Sequence, residues 1–460
     1  MRAALVFVLV LVASAAAGGA WAFQPGDPLA AQQWYLAADR PFELWATPPS
    51  LAPVRVAVID SGIDVGHPEF AGRIAATRSF VGGSVADTYG HGTFIAGEIA
   101  ARLGNGEGIA GIAFPAQLVV AKVLRSNGTI DPTDEARAIR WALAQGARVI
   151  NLSFGGVRDP SDIRQDTYSD VEQEAINDAV RAGAVVVAAA GNGDQSPRQP
   201  WPYANYPAAL PHVIGVSAYA RDGSVPEFSN RDRILNDIAA PGTEMLSTFP
   251  RALTTQSDCA DQGYSSCGPP AYHNAAGTSF AAPQVAAAAA LLLAVRPDLR
   301  PEQVAVLLER TAVDASPANG CARCGVGRDA FTGWGKLDVG AALRALSGPL
   351  PPVDQLEPND EVDALAPTLN EQRLTLRATL DFWDDRADVY RVRLRDGQWL
   401  YARVDGQPAA RISLWGSTAR RIKARPQRFL YRAPADDFYF VKVALGSPAA
   451  GPYDLRIEKS

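Results

Sequence analysis

Between Val54 and Val216 the chain alternates short β-branched runs with helical stretches, and that alternation admits few folds. The runs VRVAVID (54–60), QLVVAKVL (117–124), ARVINLS (147–153), AVVVAAAG (184–191) and HVIGVSA (212–218) are apolar throughout, as strands covered on both faces are. Between them Asp134 to Gln145 and Val171 to Ala182 read as helices, the second with Ser169 and Glu172 placed for a capping box. We therefore expect an α/β domain over residues 23–346, a doubly wound and mostly parallel sheet. A Pro-rich stretch, residues 347–356, then reads as a linker. Residues 357–460 change period to short alternating segments such as RLTLRATL, ADVYRVRL and FYFVKVAL, separated by Gly, Pro and Asp turns. That pattern predicts a small antiparallel β-sandwich of seven or eight strands.

The N-terminus reads as a signal peptide over residues 1–22, with one arginine, an apolar run from Ala3 to Ala17 and small residues at Ala20 and Ala22. The run is shorter than the ~20 residues that span a bilayer. We expect cleavage, a secreted extracellular product and no remaining membrane anchor. The other long apolar run, Ala281 to Val295, is interrupted by Pro283 and Gln284 and reads as a core helix. A net charge of −6 with no basic stripe argues against nucleic acid or an anionic membrane as partner.

The four cysteines, Cys259, Cys267, Cys321 and Cys324, are an even set in a chain expected to be exported, where disulfides are the default. Three connectivities exist, and proximity favours Cys259 with Cys267 and Cys321 with Cys324. A zinc site using the ligand spacing of CARC is the alternative.

Reactive groups of an open α/β sheet gather beyond the carboxyl ends of its strands. Asp60 closes VRVAVID and Asn192 follows the strand AVVVAAAG, and each alone would be a turn residue. His91 lies between two glycines at the mouth of a helix, and Ser279 in GTSFAAP stands where a serine would otherwise cap the alanine-rich helix that follows. Taken together, the four supply what acyl transfer requires: a nucleophile, a base, a group that orients the base, and a donor for the oxyanion. No Gly-x-Ser-x-Gly elbow occurs, and the order Asp, His, Ser differs from that of α/β-hydrolases and chymotrypsin.

Seven motifs in one order, VAVIDSGID, GHGTFIAG, INLSFGG, AAAGN, APGTEMLST, GTSFAAPQVA and GWGKLDV, resemble those of the subtilisin-type serine peptidases, the subtilases. The resemblance covers about Asp27 to Ala345. Sedolisins share the fold but replace His and Asn by Glu and Asp, so His91 and Asn192 set them aside. The resemblance implies Ser279 as nucleophile, His91 as base, Asp60 as its orienting carboxylate and Asn192 in the oxyanion hole. It implies that peptide or protein substrates lie as a strand along Ser153, Phe154 and Gly155 and along Gly128, Thr129 and Ile130. Ala189 and Gly191 would then line a wide apolar pocket giving broad hydrophobic preference, while the bulk of Ile130 and Phe154 narrows a more distant subsite. No cofactor is implied for the chemistry.

Several positions depart from the family pattern. Phe94 stands where a second histidine is common, and Phe280 where a methionine follows the serine. A structural calcium is expected at Asp27 and Asn105 with the carbonyls of RLGNGEGI (102–109), although Ser79 falls where a second aspartate is usual. DPLAAQQWYL (27–36) already resembles a mature start, which leaves no room for a folding prodomain. The excursion between Ser247 and Asn274 is longer than usual and carries Cys259 and Cys267. The C-terminal unit, through EPNDE (357–361) and DFWDDRADVYRV (381–392), resembles pre-peptidase C-terminal domains, with Asp384, Asp385 and Asp388 as candidate ligands or plain turn carboxylates. Three activities are consistent with all this: a broad extracellular endopeptidase, a narrow processing peptidase, and a silent binding module built on the same residues.

Overall fold

Strands that are apolar on both faces must be covered on both, and the computed structural model shows how this chain does it. It describes residues 22–162, 164–193, 196–254, 270–351, 356–360, 362, 366–382, 385–407 and 409–460. Residues 1–21 of the predicted signal peptide, Cys259, Cys267 and Asp384 lie outside the described residues.

The elements of the α/β unit run α1 (Trp34–Asp39), β1 (Val54–Asp60), β2 (Ile74–Ser79), α2 (His91–Ala100), β3 (Ala116–Lys122), α3 (Pro132–Ala144), β4 (Val149–Leu152), α4 (Asp170–Arg181), β5 (Val185–Ala189), β6 (Val213–Tyr219), β7 (Ile238–Pro241), β8 (Met245–Thr248), β9 (Tyr272–Ala275), α5 (Ala282–Val295), α6 (Pro301–Arg310) and α7 (Val339–Ala345). Seven strands form one parallel sheet in the order β2-β3-β1-β4-β5-β6-β7. The five predicted strands are its centre, each shifted by no more than two residues at an end. Sequence reading missed β2 and β7. The first is a half-exposed edge without an apolar run, and the second is only four residues long.

Period-two alternation divides the strand side chains between two cores. Val56, Val58, Val120 and Val187 pack with α2 and α5 on one face. Ala57, Ile59, Val119, Ile150 and Val186 pack with α3 and α4 on the other. Each such valine or isoleucine contributes about 1.5–3 kcal/mol by leaving water. Helix α5 is apolar on every side and accordingly buried on every side. The segment Thr278–Val295 has the length and hydropathy of a membrane span, yet 89% of it is buried inside the protein, as a core helix should be.

The C-terminal strands are β10 (Thr368–Leu369), β11 (Arg373–Asp381), β12 (Ala387–Leu394), β13 (Trp399–Asp405), β14 (Ala410–Gly416), β15 (Arg421–Arg425), β16 (Arg428–Arg432), β17 (Asp437–Leu445) and β18 (Ala450–Lys459). They form two sheets, β10-β12-β17-β14-β15 and β11-β18-β13-β16, antiparallel except for the short β10–β12 pair. Val392, Leu400, Ile412, Val441, Leu455 and Ile457 fill the space between them. The fold is the predicted sandwich, one strand richer because the two-residue β10 carries no pattern of its own. The sandwich meets the α/β unit at His212, whose Nε2 contacts Asp360 and, at 3.4 Å, Glu357.

Helices α3 and α4 lie side by side on the outer face of the sheet, and between them Glu135 and Glu172 are buried against each other, 2% and 5% exposed. Burial pushes Glu172 up to about 7. Burial first, then the charge of Glu172, holds Glu135 well above the carboxylate range. The pair therefore shares a proton in the folded state. Because these folded values are raised, the pair's contribution to stability is complete below about pH 4.5 and is lost as pH rises through about 7. Glu135→Gln should raise Tm by about 2–5 °C at pH 8.5 and leave it unchanged below about pH 5, as read by paired thermal melts.

Candidate active site

The seven strands run parallel, so the segments that follow them emerge along one edge of the sheet. Asp60 ends β1, Ser153 follows β4, and Gly191 and Asn192 follow β5. Ser279 lies in a single 3-10 turn, Thr278–Phe280, that leads into α5.

His91 opens α2 and turns its Nδ1 toward the Asp60 carboxylate, 2.9 Å from Oδ1 and 3.0 Å from Oδ2. Asp60 is almost wholly buried and its Oδ1 also accepts the Ser61 N–H. Burial alone would lower the histidine, but the charge and hydrogen bond of Asp60, joined by the charge of Asp87, outweigh it and hold His91 above its ordinary value. With Nδ1 engaged, Nε2 is the nitrogen left to act as base.

Asp87, which the sequence reading passed over, organises this corner. Its Oδ1 accepts the Ser61 hydroxyl and the N–H groups of Tyr89 and Gly90, and its Oδ2 accepts the N–H and hydroxyl of Thr93. The Ser61 hydroxyl oxygen in turn accepts the Gly92 N–H. Gly90 has φ of +100°, and a Cβ there would lie 2.1 Å from the Phe249 ring, so only glycine fits the turn into His91. The sequence signal was available: an acid just ahead of a helix start satisfies the unpaired N–H groups there.

On the other side of the site, Asn192 Oδ1 accepts both the N–H and the hydroxyl of Thr278, each at 2.8 Å. That double bond fixes the amide, because only its oxygen can accept two donors. The Asn192 Nδ2 is left without a hydrogen-bond partner among the described residues, as is the Ser279 backbone N–H. The Ser153 hydroxyl donates to the Ser279 carbonyl at 2.8 Å. Phe280 stacks at a tilt on Phe94, with ring centroids 4.6 Å apart, and lies 5.3 Å from the His91 ring. The two departures at Phe94 and Phe280 are thus one contact. The structure brings Asp60 onto His91, Asn192 onto Thr278 and Ser153 onto Ser279, so all four predicted residues share one corner of the sheet edge.

The predicted substrate edges flank this corner. Gly128 and Thr129 are exposed, whereas Ile130 and Phe154 are half-buried against the outer core, so their bulk sits partly inside the protein. A cavity of about 920 Å³ opens beside Gly128, lined among others by Ser61, Tyr89 and Leu124.

Asp27 and Asn105 meet as expected, but the second carboxylate comes from Glu69. Ser79 lies on the edge strand β2 with its hydroxyl donating to the Gly82 carbonyl. Asp27 accepts the N–H groups of Gly104 and Asn105. Glu69 accepts the Ile109 N–H, the Tyr272 hydroxyl and the Asn105 amide, while Asn105 Oδ1 accepts the Glu107 N–H. Each of these side-chain oxygens accepts at least one hydrogen bond in this arrangement. Elsewhere His212, Glu357 and Asp360, and again Glu357, Asp385 and Asp388, bring potential ligand atoms within 4.8 Å of one another at the seam with the sandwich. Cys321 and Cys324 form a disulfide, which leaves no thiolates in CARC for zinc.

The model of the subtilase family matches residues 52–335. Thermitase of Thermoactinomyces vulgaris is 34% identical over 241 residues, 52% of this chain and 74% of thermitase. The major intracellular serine protease of Bacillus subtilis is 35% identical over 260 residues, 54% of this chain and 71% of that one. Among solved structures, fervidolysin of Fervidobacterium pennivorans, described as a keratinolytic enzyme related to subtilisin, aligns with a TM-score of 0.57 and 26% identity, covering 90% of this chain and 54% of its own.

Asp87→Ala should leave five donors without their acceptor and let His91 drift. Turnover of a peptide substrate should fall about 100-fold while circular dichroism at 25 °C stays that of the parent.

Proposed function

We propose, on the premise that this chain belongs to the subtilase family and is a serine endopeptidase, that Ser279, His91, Asp60 and Asn192 are its catalytic residues. The observation that carries the assignment is the pair of bonds from Thr278 to Asn192 Oδ1, which leaves the amide N–H₂ free beside Ser279, the residue that would attack. In this reading Ser279 Oγ attacks the scissile carbonyl as His91 Nε2 takes its proton. The Asn192 amide and the Ser279 N–H donate to the oxyanion, aided by the positive end of the helical segment that starts there. His91 then gives the proton to the leaving amine, and water, deprotonated by the same nitrogen, releases the acyl group. Asp60 holds and orients the imidazolium that forms.

The same reading places the substrate strand along Ser153–Gly155 and Gly128–Ile130, with a broad slot that tolerates apolar side chains between Gly155 and Ala189. It takes residues 23–346 as the peptidase unit, 357–460 as an appended sandwich, and the product as secreted.

Purified protein should be labelled by a fluorophosphonate at Ser279 only. Because Asp60 and Asp87 outweigh burial at His91, the labelling rate should rise with pH through a midpoint above the ordinary histidine range. Ser279→Ala should abolish both labelling and cleavage. Asn192→Ala should lose about 100- to 1000-fold in kcat, the scale that removal of one such donor carries in subtilisin-type enzymes. Unchanged turnover in that variant would withdraw the oxyanion role.

A further inference from the structure

The solvent side of the sheet β11-β18-β13-β16 carries a pattern of side chains that peptide cleavage does not use. Along these strands Leu400, Ala402, Phe429, Leu455 and Ile457 are buried against the other sheet, so the residues that alternate with them point outward. The register sets those outward residues in rows that cross the strands. Arg373, Glu458, Tyr401 and Leu430 form one row, Arg456, Arg403 and Arg428 the next, and Arg377, Asp454 and Asp405 a third. Arg432 stands opposite Trp399 at the outer end. Six arginines against three carboxylates leave this face at +3, on a chain whose net charge is −6. Sequence reading found no basic stripe because these arginines are scattered from position 373 to 456 and become neighbours only when four strands pair.

The face does not satisfy itself. Arg403 lies directly between Arg456 and Arg428, and like charges opposite one another on a sheet are destabilising. Asp405 and Glu458 answer Arg403 and Arg456 along their own strands. The side chains of Arg373, Arg377 and Arg428 have no hydrogen-bond or ion-pair partner among the described residues. Beside the arginine row, which spans about 10 Å across three strands, Trp399 and Leu430 are 42% and 51% exposed and both adjoin Tyr401. These apolar groups lie at the end of the strands remote from Leu380, Asp381, Ala450 and Gly451, which border the α/β unit. A long ligand can therefore reach them without meeting the rest of the molecule.

We propose that this face docks an acidic polysaccharide, a chain of sugars that carry carboxylates. The planar forks of Arg456, Arg403 and Arg428 match carboxylates two bonds at a time, and the apolar faces of the sugar rings lie on Trp399 and Tyr401. The carboxylates on the same face decide between this ligand and a DNA strand. A phosphodiester backbone offers only anionic acceptors, which Glu458, Asp405 and Asp454 repel, whereas sugar hydroxyls donate to them.

The test is binding of the full chain to sodium polygalacturonate, with neutral dextran and a single-stranded DNA oligonucleotide as the other arms. Polygalacturonate should bind and dextran should not, and affinity should fall about 10-fold from about 50 to 200 mM salt, as a few released counterions require. Reversing two charges, Arg403→Glu with Arg428→Glu, should remove binding, and Trp399→Ala should weaken it about 3- to 10-fold. Arg411→Glu, the same change on an exposed position of the other sheet, should leave binding within about 2-fold of the parent. Melting temperature and cleavage of a short soluble peptide should stay those of the parent in every variant, which separates docking from folding and from the peptidase reading. No binding of polygalacturonate, binding that survives the double reversal, equal loss in Arg411→Glu, or tighter binding of the oligonucleotide would each overturn the proposal.

Discussion

Helix α5 is the constraint on which the rest of the molecule depends. Alanine and leucine on every side let it enter the interior, where it touches most of the parallel strands and the helices α2, α6 and α7. A helix so placed cannot shift along its axis without opening voids on all sides at once, and interiors resist that strongly. Its first turn is therefore fixed at the carboxyl edge of the sheet, and Ser279 with it. The short bonds from Thr278 to Asn192 and from Ser153 to the Ser279 carbonyl then connect two neighbouring strand ends to that one fixed turn.

The two halves of the site are held by different means. On the His91 side a single buried carboxylate, Asp87, gathers donors from the loop and the first turn of α2, so the imidazole is placed by hydrogen bonds to backbone. On the Ser279 side placement comes from packing, and the contact of Phe280 with Phe94 and His91 is where the halves touch. Changes at either phenylalanine therefore act on both halves together.

The central strands and the helices were legible in the sequence because each leaves a local signature: an apolar run or a capping serine. What escaped were features that exist only across the fold. Strand β2 has no apolar run because its edge position leaves half of it wet. Glu69 sits 36 residues from Asn105 and announces nothing about meeting it. Cys321 and Cys324, three apart, pair as proximity predicts.

The sheet's polarity also divides the molecule. His212 precedes β6, so its contact with Asp360 and Glu357 lies at the amino edge, opposite the edge that carries Ser279. The cavity of about 460 Å³ between the two units, walled by Val185, Val213 and Phe382, lies at that same far edge. The sandwich is thus joined at the edge of the sheet opposite the one that carries Ser279, so a load applied to the sandwich enters the sheet through the starts of its strands and not through the turns that follow them.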